Sequence, residues 1–110
     1  MTLKVSEGLL RAAYEFVRAT DPKFWRKLPH ADEVDFKVIK SKTHFGDCDG
    51  EALRVSSAKH SHAVTILATV SHEMAHMLDF IEGGDGAHGV KFHKLARRIC
   101  KVLGLDPKAF

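Results

Sequence analysis

The segment AVTILATVSHEMAHMLDFI, residues 63–81, is the feature that most constrains how this chain can fold. It contains no Pro or Gly, and its apolar residues recur at steps of three and four, which is typical of a helix buried along one face. Ser61 is a candidate N-cap, and Gly83 with Gly84 is a candidate stop. The sequence therefore predicts a long helix around which the rest of the chain must pack.

Polar residues form a separate stripe on this predicted helix, because residues three, four and seven apart lie on the same side. Within the stripe, His72 and His76 are spaced so that both imidazoles can bind one metal ion. Glu73 lies between them and is placed to act as a general base on a water molecule. The run HEMAH thus predicts a zinc site. Asp79, further along the stripe, is predicted either to orient an imidazole or to be a plain helix-end carboxylate.

A third ligand is needed, because a catalytic zinc ion typically takes three protein ligands and leaves its fourth position for water. His88, which follows the glycine-rich stretch after the predicted helix, is the best candidate. That stretch can reverse the chain direction, and Gly89 beside His88 permits a close backbone approach. The competing candidates are Glu82, His93, Asp85 and Asp79.

The chain resembles the SprT-like metallopeptidase domain in four segments: HEMAH, the glycine-containing loop, HGVKF and the helix HKLARRICKVLGL. This domain is also the protease core of the Spartan enzymes, which digest proteins crosslinked to DNA. The specific similarity runs from Ser71 to Phe92. The resemblance implies that His72, His76 and His88 are zinc ligands, the last heading an HGxxF segment. It also implies that Glu73 is the general base and that the reaction is hydrolysis of peptide bonds in proteins.

The cysteine content departs from that of many relatives, which continue into a Cys-rich zinc ribbon. This chain has two cysteines, Cys48 and Cys100, too few for such a module. In a chain without an export signal we expect both to be free thiols, with Cys100 packed as a small apolar residue on its helix. The expectation is therefore a hydrolytic core without the ribbon.

The remaining segments predict an α+β domain of zincin-like form. An amphipathic first helix is predicted to end before Asp21-Pro22. Alternation predicts strands at 34–38 and 52–56, with a turn at 47–50, in an antiparallel or mixed sheet of about three strands. A closing helix is predicted to end at Gly104. The predicted inward-facing residues are Leu9, Leu10, Ala13, Phe16 and Val17 on the first helix and Phe92, Leu95, Ala96, Ile99 and Leu103 on the last.

Length and composition predict a single domain over residues 1–110. A chain of 110 residues that is 45% hydrophobic is large enough for one core and too short for a second. The N-terminal segment carries charges throughout, so it predicts neither a signal peptide nor a membrane span. We therefore expect a cytoplasmic protein without a membrane partner.

Basic residues line the outer side of the predicted closing helix. With a net charge of +3 and an isoelectric point near 9.0, the chain has here a candidate contact for the backbone of DNA. An ordinary solvated face is the favoured alternative, because aromatic residues for base stacking are not interleaved there. The residues concerned are Lys91, Lys94, Arg97, Arg98 and Lys101.

Two hypotheses of function follow from these observations. The first is a zinc-dependent metallopeptidase that acts on exposed or unfolded protein segments and is a candidate for association with DNA. The second is a basic nucleic-acid-associated adaptor whose zinc site is structural or catalytically idle. A closed four-ligand site would favour the adaptor, whereas three protein ligands with an open position would favour the enzyme.

Overall fold

In the computed structural model, which describes residues 4–49, 51–58, 62–84 and 88–110, the chain forms three helices and a three-stranded sheet. This arrangement confirms the predicted α+β class. None of the helices in these ranges is both long and apolar enough to cross a membrane. In chain order the elements are α1 (Glu7–Thr20), β1 (Asp35–Ile39), β2 (Gly46–Cys48), β3 (Ala52–Ser56), α2 (Ala63–Ile81) and α3 (Val90–Leu103), with short 3-10 turns at Ala31–Glu33 and Pro107–Ala109.

Helix α1 begins directly after its N-cap residue, Ser6, and ends where the sequence predicts. The Ser6 hydroxyl oxygen accepts a hydrogen bond from the Leu9 N–H at 3.1 Å, and the helix ends before Asp21-Pro22. One prediction is wrong, because Phe16 does not face inward and is 55% exposed. Successive residues are about 100° apart around a helix, which places position 16 off the buried stripe. That stripe consists of Leu10, Ala13, Tyr14 and Val17.

The sheet is mixed, with strand order β1-β3-β2. Strand β3 lies in the centre, where it pairs in parallel with β1 and antiparallel with β2. Strand β1 begins at Asp35, one residue later than predicted. The predicted turn at 47–50 is wrong in its first half, because Asp47 and Cys48 belong to β2. This strand has three residues and includes a Gly and an Asp, which are both depleted in strands. Its pairing with β3, and not its local sequence, therefore determines its extended conformation.

Helix α2 is the central element and packs against α1, α3, β2 and β3. Its bounds are those that the sequence predicts, although its N-cap residue is His62 and the candidate cap Ser61 lies outside the described residues. Val70, Met74 and Met77 on this helix have no exposed surface. The side chains that α2 buries therefore form the middle of the core.

The turn after α2 is built against a buried carboxylate. Asp79 is 3% exposed, and the N–H of Gly84 donates a hydrogen bond to the Asp79 carbonyl at 2.7 Å. A Cβ atom at position 84 would lie 2.2 Å from an Asp79 carboxylate oxygen, and Gly83 has a φ of +88°. Both glycines are therefore required, one for space and the other for its left-handed backbone. The structure thus places Asp79 at the helix end; its role in orienting an imidazole stays a prediction.

We predict that Gly84→Ala lowers the free energy of unfolding by about 1–3 kcal/mol, because the new methyl group must displace the buried Asp79 carboxylate. Gly8→Ala on α1 is the matched control, since a Cβ atom there meets nothing within 4 Å. We expect the control to be neutral or slightly stabilising. Urea unfolding of both variants measures the difference, and equal stabilities would contradict this account of the turn.

Candidate metal centre

Three histidines converge on one point between α2 and the start of α3. The Nε2 atom of His76 lies 3.2 Å from Nε2 of His72 and 2.9 Å from Nε2 of His88. The potential ligand atoms of all three residues lie within 4.8 Å of one another. His72 and His76 are partly buried, whereas His88 is exposed. The helix thus supplies two imidazoles, and the segment that leads into α3 supplies the third.

The donor set fits a divalent metal ion. Nitrogen ligands about 2.0–2.1 Å from a tetrahedral zinc ion lie about 3.3 Å apart, close to the two measured separations. Burial, followed by the nearby charges of His76 and His88, lowers the pKa of His72 to about 4. That imidazole is therefore neutral at neutral pH, which leaves its lone pair available for a metal. The three histidines form a cluster that can hold a metal ion.

Phe92 is the packing support of the cluster. Its ring stacks on His76 with centroids 4.3 Å apart and on His88 with centroids 4.7 Å apart, and it meets His72 edge-on at 5.1 Å. Phe92 is itself only 3% exposed. A buried ring that touches all three imidazoles restricts their orientations, so the aromatic residue of the HGVKF segment serves the site as well as the core.

Glu73 is a buried carboxylate beside the cluster. It is 6% exposed, and its burial, together with the negative charge of Asp47, raises its pKa to about 7, although Cys48 and Arg54 oppose the shift. The Cys48 thiol donates a hydrogen bond to the Glu73 carbonyl oxygen at 3.1 Å, which ties β2 to α2. A carboxylate with a pKa near the working pH is suited to accept and return a proton.

A cleft opens directly beside these residues. Its volume is about 670 Å³, and His72 and Glu73 contribute to its lining. The ring of Phe110 lies 5.2 Å from the ring of His72, and a hydrogen bond with the backbone of Phe110 acts against the lowering of the His72 pKa. The candidate metal centre therefore faces an open space large enough for part of another molecule.

The competing ligand candidates do not join the cluster in the described part of the chain. Glu82 forms ion pairs with Lys27 at 3.1 Å and Lys91 at 3.7 Å. His93 is exposed, and its ring lies 6.0 Å from that of Phe92. Asp79 packs against Gly84, as described above, and Asp85 lies outside the described residues.

Both cysteines are free thiols, as predicted. Cys100 is buried on α3, and Cys48 is partly buried on β2. Burial, and then the neighbouring charge of Glu73, raises the pKa of Cys48 well above its ordinary value. Sequence reasoning did not connect Cys48 with Glu73 or Phe92 with the imidazoles. For Phe92 there was one sequence signal: it lies four residues after His88, which puts an aromatic ring one turn after a candidate ligand.

A mixed sheet behind a helix that carries HExxH, with a third histidine from the next segment, defines a domain of zincin-like form. The model of the SprT-like family matches residues 13–109, and the chain belongs to this family. Searches of curated proteins and of solved structures found no match. The matched range includes the three clustered histidines and Glu73.

We predict that the purified protein binds one metal ion per chain and that His88→Ala loses it or binds it at least about tenfold more weakly, because one of three ligands is removed. His93→Ala is the matched control, since His93 is a nearby exposed histidine outside the cluster. Elemental analysis combined with chelator competition measures both. An equal loss in the two variants would contradict the three-histidine site.

Proposed function

We propose that this protein is a zinc-dependent metallopeptidase that hydrolyses peptide bonds in protein substrates. The observation that carries the proposal is the convergence of three imidazole Nε2 atoms, among them that of His72, which lines the same cleft as the buried Glu73. Membership of the SprT-like family supports the same conclusion. The residues in named roles are His72, His76 and His88 as ligands and Glu73 as general base.

Zinc is the proposed ion because three imidazoles form a borderline-soft donor set, and a three-ligand site with an open position is typical of catalytic zinc. When bound, zinc supplies a Lewis acid that polarises the substrate carbonyl and lowers the pKa of water to about 7. The stacking of His76 and His88 on Phe92 holds these imidazoles toward a common point. The same packing limits their rotation when the site is loaded.

Glu73 is the proposed proton carrier. Its carboxylate removes a proton from the attacking water as the oxygen adds to the carbonyl carbon, and it delivers that proton to the amine nitrogen as the C–N bond breaks. The raised pKa of Glu73 suits both halves of this exchange, because the group must be a base first and an acid afterwards. Burial next to β2 keeps the carboxylate in one place between the two transfers.

The position of β2 supports a protein substrate. This strand is the last in the order β1-β3-β2, and the hydrogen bond from Cys48 to Glu73 fixes it alongside the active-site helix. An extended peptide can pair with an edge strand through main-chain hydrogen bonds, which recognise peptides without requiring one sequence. A substrate held this way would run past Glu73 in an extended form.

The number of clustered histidines favours the enzyme over a structural or idle zinc site. In the described part of the chain the cluster contains three residues, the count expected when the fourth position is left for water. The cleft lined by His72 and Glu73 gives a substrate a route to that position. A structural site would have no need of a base with a pKa near neutrality in the same cleft.

We predict that Glu73→Gln lowers kcat/KM for an unfolded protein substrate by about 10²–10⁴-fold, because it removes the base and keeps the ligands. Zinc content should stay at the wild-type level. Glu82→Gln is the control, since this carboxylate lies at the end of the same helix but pairs with Lys27 and Lys91. Wild-type cleavage by the Glu73 variant would refute the mechanism.

A second proposal concerns DNA and the basic side of α3. All five basic residues there are exposed, although Arg98 pairs with Asp21 at 2.9 Å and Lys91 pairs with Glu82.

We predict salt-sensitive DNA binding. Changing Lys94, Arg98 and Lys101 to Gln should weaken this binding and make its affinity less dependent on salt concentration. Changing Lys37, Lys40 and Lys42 to Gln removes the same charge elsewhere and is the control. Equal effects, or no binding at low salt, would dispose of this proposal.

A further inference from the structure

The cleft beside Glu73 has a chemical character that the proposed reaction does not explain. We infer that it is a specificity subsite for a large apolar side chain, such as Phe or Leu, next to the scissile bond of an extended peptide. The inference rests on the proposed function, because it assigns a substrate preference to the same site. It depends on three separate chain segments that line one cavity.

The two outer walls present apolar side chains to solvent. Phe45, just before β2, is 52% exposed, and Val64, in the first turn of α2, is 69% exposed. Both line the cleft, and Ala68 continues the wall one turn further along α2. Exposed apolar side chains grouped around a concavity are typical of ligand-binding sites, whereas scattered ones need no explanation.

The third wall comes from the segment after α3. Leu105 and Phe110 line the cleft, and the Phe110 ring lies 5.2 Å from His72 and 6.3 Å from Phe92. An apolar surface thus continues from the solvent to the edge of the histidine cluster. A side chain bound there would lie next to the reacting carbonyl, because His72 and Glu73 also line this cleft.

Acidic substrate side chains find little to pair with in this space. Apart from His72 and Glu73, the titratable residues of the lining are His44 and Asp106. The Asp106 carboxylate already accepts a hydrogen bond from the Lys108 N–H at 3.0 Å. The carboxylates of Glu73 and Asp106 would repel an Asp or Glu side chain, which would also lose hydration there at a cost. The lining selects for apolar side chains by burial and against acidic ones by repulsion and desolvation.

The dimensions suit one or two substrate residues and their neighbours. Val64 and His72 are two turns apart on α2, which corresponds to about 12 Å along the helix axis. An extended peptide advances about 3.3 Å per residue, so about three to four residues span that distance. The volume of about 670 Å³ is ample for an aromatic side chain within such a segment.

The test compares peptides of one sequence that differ only at the residues flanking a single cleavable bond, with Phe or Leu in one set and Asp or Glu in the other. Cleavage by the zinc-loaded protein gives kcat/KM, and fluorescence anisotropy with the zinc-loaded Glu73→Gln protein gives binding without cleavage. We expect the apolar peptides to be preferred by at least about tenfold in both measurements.

Two substitutions locate the preference in the cleft. Phe45→Asp places a charge in the outer wall, and Ala68→Phe fills the space, so each should reduce the apolar preference to less than about threefold. The matched controls lie on α1: Phe16→Asp, at a residue 55% exposed, and Ala12→Phe, also at an exposed position. Both controls should retain the wild-type preference, and urea unfolding verifies that all four variants fold.

The outcomes separate the subsite from the peptidase proposal. Cleavage without a preference for apolar peptides would overturn the subsite and leave the peptidase intact. Apolar-selective binding without cleavage would show that the cleft selects apolar side chains, but it would overturn the peptidase and, with it, a subsite next to a scissile bond. A preference that the Phe45 and Ala68 variants leave unchanged would place selectivity elsewhere, and neither binding nor cleavage would overturn both proposals.

Discussion

Helix α2 contacts α1, α3 and two strands of the sheet, and the side chains it buries include Val70, Met74 and Met77. This burial fixes the rotation of the helix about its own axis, because the apolar side chains fit the core in one orientation. His72 and His76 are then directed to the opposite boundary, where α3 begins. The packing that stabilises the domain therefore also determines the direction of two imidazoles, whose orientations the ring of Phe92 restricts further.

Much of the fold follows from local patterns. The bounds of α2 match the sequence prediction because its apolar period is unbroken and Gly83 ends it. A sheet of about three strands was predicted, but strand β2 was not located, since its pairing with β3 decides its conformation. Phe16 was assigned to the core because it fits the apolar spacing of an amphipathic helix, yet the buried stripe of α1 passes beside it. The spacing of apolar residues therefore predicts where an element lies more reliably than it predicts which of its side chains are buried.

The candidate site was predictable in part for the same reason. The HExxH spacing identified His72, Glu73 and His76, and the glycine-rich stretch pointed to His88, which the structure places with the other two histidines. Their role as ligands is part of the proposal. The link between Cys48 and Glu73 and the apolar cleft could not be predicted, because both unite segments far apart in the chain without a shared pattern. Such contacts exist only after α2 is packed.

The origin of His88 on a different segment from His72 and His76 has a consequence for the order of the whole domain. An ion bound by all three residues would link the segment that leads into α3 to the middle of α2. Its binding free energy would then add to the free energy of folding, as for any ligand that binds only the folded chain. The start of α3 would gain most, since His88 is exposed and, among the described residues, contacts the rings of His72, His76 and Phe92. Metal binding and the packing of the start of α3 against α2 would then be thermodynamically coupled.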